Sequence, residues 1–241
     1  MIEHIEQGTL PRGKKAVIAL TSWKKRINTV GLTIYNLFET CGPDYHIVLT
    51  LAEEEFPKKE RELPRDLVLM NKAGMFEILW CKRNWRSFKK WVFAGMKYPK
   101  VPIITADDDC IYTCNYANKL YDIWQHNKTC IITNDGVTKE DLRWPRGPNT
   151  LFPNLHKVNY AQLVEMYFAQ KFSFVDEDMC FGLLAKKFNI PIIELGDSPY
   201  YVFHSQIDPQ FSSFEWNYTM VRRKTEDFLR KCITTIKRAG K

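Results

Sequence analysis

Three consecutive carboxylates, Asp107, Asp108 and Asp109, directly follow the branched apolar run Val101 to Thr105. Such a run reads as a buried strand, and ligands in open α/β sheets bind at the carboxyl ends of strands. If strand geometry continues through the triplet, residues i and i+2 point the same way, so Asp107 and Asp109 share a face and Asp108 turns aside. Two carboxylates that close repel each other unless a cation lies between them. A hard divalent ion, Mg²⁺ or Mn²⁺, suits all-oxygen ligands and keeps positions open for phosphate oxygens. It can also neutralise charge that develops on a departing diphosphate.

A second acidic group, Asp176 and Asp178, flanks Glu177 just before a segment with apolar pairs at i,i+4: Met179 with Leu183, Cys180 with Leu184, Leu184 with Phe188. These pairs predict a helix over 178–188. A carboxylate at its N-terminus is favoured and kept ionised by the helix dipole. It could simply cap the helix or, facing a pocket, accept a proton from a hydroxyl.

Thr21, Ser22, Trp23 and Arg26 stand just past the first apolar run, and the guanidinium of Arg26 suits phosphate. The stretch Trp80 to Trp91 interleaves rings with cations, among them Lys89. This pattern fits base stacking in a nucleic-acid-binding protein. Against it, Trp85, Phe88, Trp91 and Val92 fall on one helical stripe, as core residues do. Trp144, between Arg143 and Arg146 in a stretch rich in Gly and Pro, is either an acceptor wall or a buried loop anchor. His204 follows four residues, Tyr200 to Phe203, that fit a core environment; His46 and His156 are weaker alternatives as ligands.

The elements that must position these residues alternate. Strands are expected at 16–20, 46–51, 76–80, 101–105, 129–133 and 191–195, and helices at 29–40, 87–96, 116–126, 178–188 and 222–238. Prolines 57 and 64 leave room for at most a short helix between residues 52 and 65. Residues 135–156 cannot form one regular element and read as an active-site loop. Strand and helix in alternation predict a mostly parallel sheet covered on both faces, in one α/β domain spanning 1–241.

Composition agrees with a folded chain. Of 241 residues 45% are apolar and 26% charged, which excludes disordered and collagen-like classes, and the net charge of +7 invites an anionic partner. No apolar run is long enough to span a membrane, and the start lacks a secretory signal pattern. Seven cysteines without a C-x-x-C pair point to reduced thiols. A cytoplasmic protein is expected. The basic stretch from Arg222 to Lys241 is either an ordinary terminal helix or a peripheral contact with an anionic inner membrane face.

The strand ending in three aspartates, the opening VIALTSW and the later DEDMCFG together resemble the GT-A glycosyltransferases with a DxD motif. They are most similar to small bacterial sugar transferases of capsule and lipopolysaccharide assembly, related to glycosyltransferase family two. The resemblance runs from Val17 to about His204. It implies a Rossmann-like GT-A fold and a nucleotide-sugar donor, with UDP expected, whose diphosphate is held through Mn²⁺ or Mg²⁺ at Asp107 and Asp109. His204 would be a third ligand. Thr21, Ser22, Arg26, Lys89 and Asp108 would bind the donor, and Trp144 a glycan or lipid-linked glycan acceptor. Asp178, with Asp176 in reserve, would be the base of an inverting transfer. The rival readings are a non-catalytic nucleic-acid binder and a sugar nucleotidyltransferase. The second is disfavoured because Thr21 to Ile27 lacks the glycine-rich phosphate loop such enzymes carry.

Overall fold

The computed structural model describes residues 5–153, 177–197, 200–202 and 226. Strand β1 (Ala16–Thr21) is a run of small and branched apolar residues buried on both faces. Val17 and Ala19 face one apolar cluster, Ile18 and Leu20 the other. A strand without a polar face belongs in the middle of a parallel sheet. It pairs in parallel with β2 (Tyr45–Ala52) and with β4 (Ile103–Thr105), and β2 pairs in parallel with β3 (Glu77–Cys81). Helix α1 (Val30–Cys41) connects β1 to β2; α2 (Arg65–Lys72) leads into β3, and α3 (Lys89–Lys97) returns the chain to β4. After β5 (Cys110–Tyr112) come α4 (Tyr116–His126) and β6 (Ile131–Thr133).

The stretch expected to be irregular is ordered. It forms the antiparallel hairpin β7 (Gly136–Lys139) and β8 (Leu142–Pro145), then β9 (Thr150–Phe152). β9 enters the main sheet antiparallel between β4 and β6. Helix α5 (Glu177–Phe188) and β10 (Ile192–Glu194) follow, the latter parallel to β6. β11 (Tyr200–Val202) pairs antiparallel with β5. The result is a seven-stranded sheet in the order β10-β6-β9-β4-β1-β2-β3, mostly parallel and flanked by helices, as the alternating pattern predicted.

One core layer lies between the sheet and α3 and α5. Trp91 is its centre, its ring 4.4 Å from that of Phe181 and 6.2 Å from that of Phe152. Each such ring contact adds about 0.5–1.5 kcal/mol beyond area burial. Trp85, Phe88 and Val92 are buried in the same layer, so the helical stripe of the ring-and-cation stretch is core, while Trp80 at its start is only partly buried. α5 approaches β8 closely because Gly182 has no side chain. A Cβ there would stand 2.6 Å from the carbonyl oxygen of Arg143 and 2.6 Å from Trp144 Cβ.

Candidate active site at the carboxyl edge of the sheet

Strand β4 ends at Thr105 and the chain turns at Asp108 and Asp109 before β5. The strand periodicity assumed for the triplet therefore does not reach it. Asp108 and Asp109, not Asp107 and Asp109, act together: Arg26 donates from NH1 to Asp108 Oδ1 at 2.8 Å and to Asp109 Oδ2 at 3.0 Å. Ser22 Oγ donates to Asp108 Oδ2 at 2.6 Å. Asp107 turns the other way, and Lys90 Nζ donates to its Oδ1 at 2.6 Å. The predicted face-sharing of Asp107 and Asp109 is thus corrected by the turn.

The turn is held from below. Thr33, inside α1, donates its hydroxyl to the carbonyls of Asp108 (3.1 Å) and Cys110 (2.9 Å). Asn36, one position short of a turn further on, receives the Tyr112 amide at 2.6 Å and donates to the Tyr112 carbonyl at 3.1 Å. The Tyr112 hydroxyl accepts the Asp107 amide at 2.8 Å, and the Tyr116 hydroxyl donates to the Thr105 carbonyl at 3.0 Å. Polar residues at i and i+3 on the inner face of an otherwise apolar helix were the available signal for Thr33 and Asn36.

Lys89 and Lys90 are consecutive and both buried, at 1% and 3% exposure, and they diverge. Lys89 Nζ donates to Glu55 and Asn84 Oδ1, each at 3.0 Å, and to the Ser22 carbonyl at 3.3 Å. It anchors the loop that carries Ser22 and Arg26. Thr21 bonds the Thr50 carbonyl at 2.7 Å in the same region. Lys90 reaches Asp107 and lies 3.5 Å from Glu177 Oε2. Burial pushes the Lys90 ammonium down, but Asp107, Glu177 and Asp178 outweigh it and hold it above the ordinary lysine value. Burial pushes the Asp108 carboxyl up, against the pull of Arg26 and Ser22.

Asp178, in the first turn of α5, comes to the same edge. A Cβ on Gly147 would stand 2.7 Å from Asp178 Oδ1 and 2.9 Å from Lys90 Nζ, so the bare glycine backbone leaves room for both. Asp176 and His204, together with His156 and the basic stretch at 222–238, lie outside the described residues apart from Glu226. His46 is remote: it bonds Glu77 at the opposite edge. Trp144 is buried at 4% exposure against Leu142 and Met179. Of its two readings the structure gives the anchor; the indole presents no open face as an acceptor wall. Sequence reasoning passed over Lys90, Glu55, Glu177 and Gly147.

The donor set at this edge is made of carboxylates, which suits Mg²⁺ or Mn²⁺. Among the described residues no three carboxylate, imidazole or thiol groups are clustered for one ion. Asp107, with its side chain 35% exposed, is the acid open to a hydrated cation; Asp109 is 9% exposed and held by Arg26. One carboxylate completed by water and phosphate oxygens is an arrangement Mg²⁺ accepts. The residues therefore fit a divalent ion anchored at Asp107, and Asp109 can join only if Arg26 releases it.

The sequence matches no protein-family model and no curated protein. Several solved structures are similar. The glycosyltransferase GlyE of Streptococcus pneumoniae TIGR4 aligns at 13% identity and a TM-score of 0.48, over 76% of this chain and 46% of that one. S. aureus TarS 1-349, in complex with UDP-GlcNAc, aligns at 12% identity and a TM-score of 0.49, over 84% and 62%. A Francisella tularensis 2-C-methyl-D-erythritol 4-phosphate cytidylyltransferase aligns at 12% identity and 0.47, over 82% and 97%. The chain spans less than two thirds of the first two. Among the described residues no helix is long and apolar enough to cross a membrane.

Proposed function

We propose that the protein is a GT-A-type glycosyltransferase that moves a sugar from a nucleoside-diphosphate donor, UDP by expectation, to a hydroxyl of a glycan or lipid-linked glycan acceptor. The observation that carries this reading is the meeting, at the carboxyl edge of a mostly parallel sheet, of Asp107 to Asp109 with Asp178 across Lys90. That edge is where α/β sheets take ligands.

Asp107 would hold Mg²⁺ or Mn²⁺, with Asp109 and His204 as further proposed ligands. When bound, the ion would offset charge on the leaving diphosphate. The chain's own residues do the rest. Arg26 fixes Asp108 and Asp109, Lys89 fixes the Ser22 loop, and Thr21 and Ser22 would be the residues offered to the nucleoside. Asp178 takes the proton of the acceptor hydroxyl as its oxygen bonds the anomeric carbon. The bond to the diphosphate then breaks on the opposite face, and the configuration inverts. Asp176 is the reserve base.

A thermal-shift panel of nucleoside diphosphates and sugar nucleotides, run with Mn²⁺ and with EDTA, tests the proposal. UDP or a UDP-sugar is expected to raise the melting temperature in Mn²⁺ and not in EDTA, since a selective ligand stabilises the folded state. A panel in which no nucleotide stabilises the protein under either condition would overturn it.

A further inference from the structure

The geometry points to Lys90 as a resident counter-ion: it neutralises Asp107 until a divalent cation displaces it toward Glu177 and Asp178. This inference rests on the metal-dependent reading above and adds to it a competition between protein and metal for one carboxylate.

Lys90 belongs to the side of α3 that packs into the core, beside Trp91 and Val92, and only its ammonium reaches a polar environment. A buried ammonium persists only with carboxylates close by. Lys90 has Asp107 Oδ1 at 2.6 Å and Glu177 Oε2 at 3.5 Å. The position a Cβ of Gly147 would take is within 2.9 Å of Lys90 Nζ and 2.7 Å of Asp178 Oδ1, which puts Asp178 beside the same ammonium. Lysine is a point charge on a flexible four-carbon stem with three donors, so it can exchange one carboxylate for another without moving the helix. Gly147 leaves the space in which that exchange occurs.

Asp107 would hold a divalent ion on the carboxylate that already takes the Lys90 ammonium at 2.6 Å, and like charges on one carboxylate repel. The ammonium is then driven along the line it already bridges, to Glu177 and Asp178. Before the ion arrives, Lys90 ties the β4 turn to the start of α5; afterwards it tightens on α5 alone. Loading of Asp107 thereby reaches the acidic pair that begins at Glu177, 70 residues further along the sequence.

The test is Mn²⁺ binding without nucleotide, followed by the electron-spin signal of free Mn²⁺. Lys90→Met and Lys90→Gln remove the competitor and are expected to bind Mn²⁺ at least fivefold more tightly than the wild-type chain. Lys90→Arg keeps the charge and the wild-type affinity, as does Lys187→Met, on the exposed side of α5. If the wild-type chain and its neutral variants all bind no Mn²⁺, alone or with UDP, the metal reading itself fails. If the wild-type chain binds and the neutral variants, folded by circular dichroism, bind no more tightly, the metal reading stands and the counter-ion assignment is overturned. A measurement on the wild-type chain covers variants that do not fold: the nitrogen NMR signal of the buried Lys90 ammonium should move on addition of Mg²⁺. A signal unmoved at saturating Mg²⁺ would also overturn the assignment.

Discussion

The two edges of the sheet carry contrasting charge clusters. At the amino edge Glu77 is a single carboxylate served by Lys97, by Tyr98 at 2.5 Å and by His46 at 2.7 Å. At the carboxyl edge Asp107, Asp108, Asp109, Glu177 and Asp178 gather around Arg26 and Lys90, with Lys89 and Glu55 paired beside them. The first cluster is balanced and joins β2, β3 and the end of α3. The second is pinned by Thr33, Asn36, Tyr112 and Tyr116, which hold its backbone. A buried ion cluster that matches its own charges works as structure. One held rigid at the carboxyl ends of parallel strands stands where ligands bind in such sheets.

Substitutions at the two edges should therefore differ in kind. The largest effect is expected for Asp178→Asn: turnover falls at least ~10²-fold while UDP affinity is kept, read from initial rates and calorimetry. If the variant turns over like the wild-type chain, Asp178 is not the base. Next comes Gly182→Ala, which forces a Cβ against the β8 backbone, 2.6 Å from the Arg143 carbonyl oxygen. Overpacking against backbone should destabilise by about 1–3 kcal/mol in urea unfolding.

At the balanced edge, burial opposes ionisation of Glu77, yet hydrogen bonds with His46, Lys97 and Tyr98 outweigh it and lower its pKa to about 2. A carboxyl depressed in the folded state stabilises above its unfolded value and loses that contribution as pH falls toward the folded one. Glu77→Gln should thus lose on the order of 2 kcal/mol at pH 7. The gap from the wild-type chain should close as pH falls from 4.5 toward about 2. A gap independent of pH would contradict the assignment. The smallest effect belongs to Lys119→Ala, which breaks a pair with Asp197 whose side chains are both 46% exposed. Its stability should stay within about 0.5 kcal/mol of the wild-type chain.

Much of this was legible in sequence because apolar periodicity is a local signal. Helix α4 has the bounds 116–126 read from its amphipathic pattern, and β1 and β2 lie within a residue or so of their apolar runs. β9 was missed because Thr150, Leu151 and Phe152 are too few to show alternation and follow Gly147 and Pro148. Helix α2 was missed because the residues after Arg65 were assigned no element; Pro64 stands just ahead of Arg65, where its missing N–H is not needed. The triplet announced the site, but which acid pairs with which depended on where the strand ended. Lys90 gave no signal: two adjacent lysines read as a solvated face, and only the approach of the β4 turn and the head of α5 buries the second of them.

Calorimetric titration of UDP into the wild-type chain and into Asp107→Asn, both in Mn²⁺, bears most directly on the central claim. The account predicts saturable binding to the wild-type chain that EDTA abolishes and that the variant lacks while remaining folded. A wild-type chain that takes up no UDP, or a variant that binds it equally well, would contradict the claim that the carboxyl edge grips a diphosphate through Asp107.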